Sequence, residues 1–181
     1  MGIYLSYYDE TKFPSDTLLF LWNKLISNGF GEEVFNQDKP PSLNDFVRGM
    51  TPVPHRVVCL PYQSEDGGFY SLEQIVGVMT LADMTPGHKA VCEIWIDKAL
   101  HGTGAALEAS RKGIEAAFSP PFSLQVMIGT VNEKNMRTLS FAKKLGFKEL
   151  GIIPAWFLHS DELSGCRLVY CTPEMAEDAR K

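Results

Sequence analysis

The residues with the clearest chemical content sit at a strand-to-helix join, Glu93-Ile94-Trp95-Ile96-Asp97-Lys98-Ala99-Leu100-His101-Gly102-Thr103-Gly104-Ala105-Ala106-Leu107-Glu108-Ala109. Two glycines and two alanines at a helix start keep side chains away from the backbone. Consecutive N–H groups are then open to an anion, and the helix dipole adds about 0.3–2 kcal/mol. A phosphate-bearing ligand suits such a turn. A dinucleotide fingerprint does not, because it needs glycine where Leu107 stands and an acid about 20 positions later, and residues 119–132 contain neither Asp nor Glu. A Walker P-loop fails as well, since no Gly-Lys dipeptide occurs in the chain. A glycine-rich turn that serves only chain reversal is the plain alternative for this stretch taken alone.

A second segment, Asn135-Met136-Arg137-Thr138-Leu139-Ser140-Phe141-Ala142-Lys143-Lys144-Leu145-Gly146-Phe147, reads as a short helix that stops at a glycine and runs directly into a strand. Together the two segments resemble the GNAT superfamily of N-acyltransferases. His101-Gly102-Thr103-Gly104-Ala105-Ala106 is similar to its Gln/Arg-x-x-Gly-x-Gly/Ala acyl-CoA signature, with His101 in the usual Gln/Arg place. Asn135, Thr138, Lys144, Gly146 and Phe147 fall into the register of a later motif of that superfamily. The resemblance covers residues 74–172, and residues 15–60 by order of elements only. Within the superfamily it looks most like the branch of ribosomal-protein N-terminal acetyltransferases, on Trp95, the Gly102-x-Gly104 turn with Glu108-Ala109, and Asn135-x-x-Thr138.

The resemblance implies direct transfer of an acyl group, usually acetyl from acetyl-CoA, to an amine, with no covalent enzyme intermediate and no metal. An alkylammonium with a pKa of about 10 must first lose a proton. Glu93 is the candidate base: it shares the period-2 face of Val91 and Trp95 on the strand that enters the turn. A solvated strand carboxylate is the alternative. The resemblance assigns oxyanion stabilisation to backbone N–H groups near Trp95 and Ile96, where neighbouring strands splay apart. Many relatives carry a Tyr acid seven positions after the motif Asn, and here that residue is Ala142. Thr138 stands where the ribosomal-protein branch has a Ser that contacts the thiolate, with Ser140 or an N-terminal tyrosine as substitutes. Thr138 otherwise reads as a helix hydroxyl bonding its own backbone.

The pyrophosphate is expected on the amides of Gly102, Thr103, Gly104, Ala105 and Ala106, and the pantetheine arm on the side chain of Asn135. His101 either adds a ring N–H to the phosphates or caps the helix. Lys134, Arg137 and Lys144 are candidates for the 3′-phosphate, although solvated helix charges account for them equally well. On the acceptor side Glu32, Glu33, Asp38 and Asp45 alternate with Phe30, Phe35 and Phe46, which suits a cationic amine with an apolar shoulder or, more plainly, surface acids beside core aromatics.

The resemblance implies a mixed α/β fold, of α+β type, with a mainly antiparallel GNAT-like sheet, a splayed strand pair and flanking helices. Leu18, Leu21, Trp22, Leu25 and Ile26 recur at helical spacing within residues 15–28, and a short helix is expected at 42–49. Apolar, β-branched runs at 56–60, 75–81 and 90–96 predict an antiparallel meander, with turns at Glu65-Asp66-Gly67-Gly68 and Thr85-Pro86-Gly87. Beyond it the order is helix (104–118), strand (122–130), helix (133–145), strand (147–153) and a last strand near 167–171, which could leave an edge for a homodimer.

The 181 residues suit one domain, mainly acceptor side over 1–73 and acyl-CoA side over 74–172. A net charge of −5 argues against a general grip on nucleic acid or anionic membrane. Cys59, Cys92, Cys166 and Cys171 lie in apolar runs without a Cys-x-x-Cys pair and read as reduced core thiols. With no signal peptide and no long apolar span, a cytoplasmic setting is expected. The rival to an active N-acetyltransferase is a non-catalytic acyl-CoA-binding sensor or scaffold, which the absent Tyr makes reasonable.

Overall fold

Alternating apolar and β-branched residues draw seven strands into one sheet in the computed structural model, which describes residues 1–9, 13, 16–27, 42–50, 56–69, 71–159 and 162–181. The strands are β1 (Gly2–Tyr7), β2 (Val57–Ser64), β3 (Gly77–Thr85), β4 (Lys89–Ile96), β5 (Val126–Asn132), β6 (Lys148–His159) and β7 (Glu162–Cys171). Their order across the sheet is β1-β2-β3-β4-β5-β7-β6. Every neighbouring pair is antiparallel except β4 and β5. The helices among the described residues are α1 (Thr17–Ser27), α2 (Leu43–Met50), α3 (Ala105–Phe118), α4 (Met136–Lys144) and α5 (Pro173–Asp178).

The two sheet faces carry different covers. Leu18 and Leu21 of α1 and Phe46 of α2 pack with Val58, Leu60, Val78 and Trp95 on one face. On the other, Ile114 and Ala117 of α3 and Leu139 of α4 pack with Met79, Leu81 and Cys92. Alanines let α3 lie close to the sheet, with Ala106 and Ala109 buried against Ile3, Val76 and Ile96.

The meander expected from the sequence is β2-β3-β4, and the parallel step from β4 to β5 is bridged by α3, as a crossover requires. That step is short. Pairing runs from Lys89↔Val126 to Val91↔Ile128 and stops, although β4 continues to Ile96 and β5 to Asn132. The two strands therefore part in the way the fold reading required. Asp97 N–H donates to Val76 O at 2.8 Å, which sets the phase of the β3–β4 ladder. In an antiparallel ladder alternate residues point both backbone groups to the same side. Glu93 and Trp95 thus turn their N–H groups to β3, whereas Ile94 and Ile96 turn theirs into the opening. Near Trp95 and Ile96, where the oxyanion donors are expected, the N–H groups that face the opening are those of Ile94 and Ile96.

Two elements escape the sequence reading, β1 and α5. β1 pairs with β2 even opposite Pro61, and α5 is opened by Pro173 and capped by the Thr172 hydroxyl. The last strand also begins earlier than residue 167 and lies inside the sheet, flanked by β5 and β6. The dimer edge expected there is therefore occupied, because β6 folds back along its outer side. Among the described residues the open edges belong to β1 and β6.

All four cysteines are buried and unpaired. Burial pushes the Cys59 thiol up to about 12 and the Cys171 thiol to about 11, and raises Cys92 as well. The folded protein holds protons that the unfolded chain releases above about pH 9, so stability is full below that pH and falls as pH rises towards 12. Urea denaturation between pH 7 and 11 should show a level midpoint up to pH 8.5 and a decline beyond it. Gly146 ends α4 at φ +93°, with the Met175 carbonyl oxygen 2.5 Å from the position of an added Cβ. Gly146→Ala should cost about 2 kcal/mol or more in the same measurement.

Candidate acyl-CoA site

The turn after β4 is built by local caps. Asp97 Oδ1 accepts the Ala99 N–H at 3.0 Å, and a single 3-10 turn over Lys98–Leu100 follows. Gly102 and Gly104 both adopt φ +81°, and no atom lies within 4 Å of an added Cβ at either. Glycine is required there for backbone shape, and the space beside the turn is open. Gly104 is the N-cap of α3 and offers no side chain to its first amides.

The first helical hydrogen bond runs from Glu108 N–H to Gly104 O at 3.0 Å. Within the turn, His101 and Thr103 N–H donate to the carbonyls of Lys98 and Leu100, and Ala105 N–H to the Thr103 hydroxyl. The N–H groups of Gly102, Gly104, Ala106 and Leu107 have no partner among the described residues. Of the amides expected from the sequence, those of Thr103 and Ala105 are engaged, with Leu100 O and the Thr103 hydroxyl, while the Leu107 N–H is a further one without a partner among the described residues.

His101 is engaged through both ring nitrogens. Its Nε2 lies 3.0 Å from Ile96 O, and its Nδ1 meets the guanidinium of Arg137. Arginine only donates, so Nδ1 accepts and Nε2 carries the proton. The ring has no N–H left for a phosphate. It ties the end of β4 to the first turn of α4 instead.

Asn135 caps α4, its Oδ1 accepting the Thr138 N–H at 3.0 Å, while its amide NH2 has no partner among the described residues. Thr138 is exposed, and its hydroxyl bonds no described group, so the back-bonded alternative is not adopted. Ser140 is exposed, whereas Ala142 is buried in the α4 core. Lys134 pairs with Glu162 at 2.8 Å, and Lys144 is exposed on α4.

Glu93 is exposed on the face covered by α1 and α2, and the Thr80 hydroxyl donates to its Oε2 at 3.3 Å. Trp95 on the same face is buried in the core with Val78 and Leu21. Of the acceptor-side residues, Phe30, Glu32, Glu33, Phe35 and Asp38 lie outside the described residues. Asp45 Oδ2 accepts from the Ser42 hydroxyl at 2.7 Å, that hydroxyl in turn accepts the Asp45 N–H at 3.2 Å and caps α2, and Phe46 is a core residue.

The Lys24–Asp97 ion pair was missed by sequence reasoning. Lys24 Nζ lies 2.8 Å from Asp97 Oδ2 and donates to Ile75 O at 2.6 Å. It fastens α1 to the end of β4, immediately before the turn. No local pattern announces it, because its partners lie on separate elements.

A sheet parted at one parallel step, with a glycine-rich helix start at the parting, is the arrangement that the resemblance implies. Residues 39–148 match the acetyltransferase (GNAT) domain model, and the chain belongs to that family of N-acetyltransferases. Among solved structures it is similar to the Vibrio cholerae spermidine N-acetyltransferase in complex with CoA and spermine, at 14% identity and TM-score 0.74 over 97% of this chain and 98% of that one. A chimaera of the Vibrio cholerae enzyme with hSSAT is similar at 15% identity and TM-score 0.73, with the same coverage. At these identities the likeness is one of fold. No curated protein matches the chain in sequence. No helix among the described residues is long and apolar enough to cross a membrane.

Lys24→Met leaves the Asp97 carboxylate partly buried without its cation. It should lower stability by about 2 kcal/mol in urea denaturation at pH 7, and adding Asp97→Asn should restore part of that loss.

Proposed function

We propose that this chain transfers an acetyl group from acetyl-CoA directly to a primary amine, either a protein N-terminus, a lysine or a small amine. The observation that carries this reading is the set of amides at Gly102, Gly104, Ala106 and Leu107, without partners among the described residues where β4 and β5 part. These donors suit the pyrophosphate. The unpartnered amide of Asn135 suits the pantetheine arm, and the N–H groups of Ile94 and Ile96 suit an oxyanion in the opening.

Residues 1–181 act in this reading as one unit, with the acceptor side mainly in 1–73 and the acyl-CoA side in 74–172. Glu93 takes the proton from the amine, directly or through water, and the exposed Thr138 hydroxyl serves the departing thiolate. The motif resemblance to ribosomal-protein N-terminal acetyltransferases and the fold likeness to spermidine acetyltransferases agree on a primary amine and differ on its size. The setting is cytoplasmic, no metal takes part, and a homodimer would use β1 or β6.

A sensor that binds acyl-CoA without turnover is the second reading, favoured by Ala142 at the position of the family Tyr. Release of free CoA with a panel of amines and peptides separates the two. Acetyl-CoA should raise the melting temperature of the protein, and Gly104→Val should abolish that shift. Glu93→Gln should keep the shift and slow transfer by about 10²–10⁴-fold. Equal rates for Glu93→Gln and the native protein would remove Glu93 from the mechanism.

A further inference from the structure

The contact between His101 and Arg137 spans the parted strands at their turn end: His101 follows β4, and Arg137 lies in the first turn of the helix that follows β5. The Ile96 carbonyl, by accepting from Nε2, orients the ring so that Nδ1 faces the guanidinium. Arg137 is exposed and carries five N–H donors, of which His101 takes one. The rest have no partner among the described residues. Its guanidinium is therefore held one side chain away from the unpartnered amide of Gly102, and two residues along the chain from the unpartnered amide of Asn135.

Charge makes this placement consequential. The amides at the start of α3 are dipoles, and Glu108, exposed in the first turn of that helix, sets a carboxylate beside the same site. A pyrophosphate bound there meets a like charge unless a cation joins it. Lys134 is engaged with Glu162, whereas Arg137 meets the ring of His101, the residue before Gly102.

We propose that Arg137 is a ligand of the acyl-CoA pyrophosphate and that His101, as its Nε2–H tautomer, is the positioning residue that holds the guanidinium there. The proposal rests on the acyl-CoA reading above. The acyl-CoA signature position is then occupied by a residue that acts on the phosphates through an arginine from the opposite wall of the opening.

Calorimetric titration with CoA, 3′-dephospho-CoA and pantetheine tests it. Arg137→Gln should weaken CoA and 3′-dephospho-CoA alike by about 10–100-fold and leave pantetheine unchanged. His101→Phe should reproduce that loss and add nothing to Arg137→Gln, whereas His101→Gln, which keeps an acceptor for Arg137, should recover most of it. Nitrogen-15 spectra of the ligand-free protein should show Nε2 protonated and Nδ1 bare. Native-like binding of CoA by Arg137→Gln overturns the proposal, as does a loss confined to CoA, which would place Arg137 on the 3′-phosphate. A loss with Arg137→Gln but none with His101→Phe overturns the positioning role. Failure of the native protein to bind any of the three ligands would instead overturn the acyl-CoA reading itself. Because Arg137 is exposed, the ligand-free variant should melt with the native protein.

Discussion

Everything about the site depends on the parting of β4 and β5 after three paired positions. A parallel pair that stayed joined would satisfy the N–H groups of Ile94 and Ile96 within the sheet and leave no room beside them. Once the strands diverge, those groups face an opening, and the elements that follow each strand become its walls. α3 begins from one wall and α4 from the other. The turn of residues 101–104 and the Asn135 cap thereby face a common space.

The protein maintains this divergence with interactions on both walls. Asp97 is held by a backbone bond to Val76, by the cap it gives Ala99 and by Lys24. These bonds keep the end of β4 on the β3 side of the opening. On the other wall Asn132 donates to the Ser164 hydroxyl and accepts the Lys134 N–H, while Glu133 and Gly165 exchange hydrogen bonds through backbone and carboxylate. The end of β5 is thus fixed to β7. His101 is the link between the walls, and its ring is placed by the last carbonyl of β4.

The two faces of the sheet divide the chemistry. α3 packs tightly on one face because Ala106, Ala109 and Gly113 remove side chains from its underside. The other face carries Thr80 and Glu93 in one cross-strand row with Val58, since Val58 lies opposite Thr80 and Thr80 opposite Glu93. Val58 and Thr80 are short and buried, and Glu93 reaches solvent at the β4 end of the row. A carboxylate at that margin stands on the α1 and α2 side of the sheet, while the glycine-rich turn leads into α3 on the other side.

Local chemistry was enough to read the glycine-rich helix start, the Gly146 stop and the β2-β3-β4 meander, because each follows from residue type and near-neighbour spacing. β1 and α5 were not legible. A six-residue strand and a six-residue helix carry too little periodic signal and owe their existence to the neighbours they pack on. The same limit applies to the site. Sequence spacing identified which residues flank a phosphate turn, but only the folded chain decided that both ring nitrogens of His101 are engaged, that Arg137 stands across from it and that Lys24 fastens Asp97. Those relations join residues distant in the chain, and their geometry is set by how the sheet parts rather than by any local pattern.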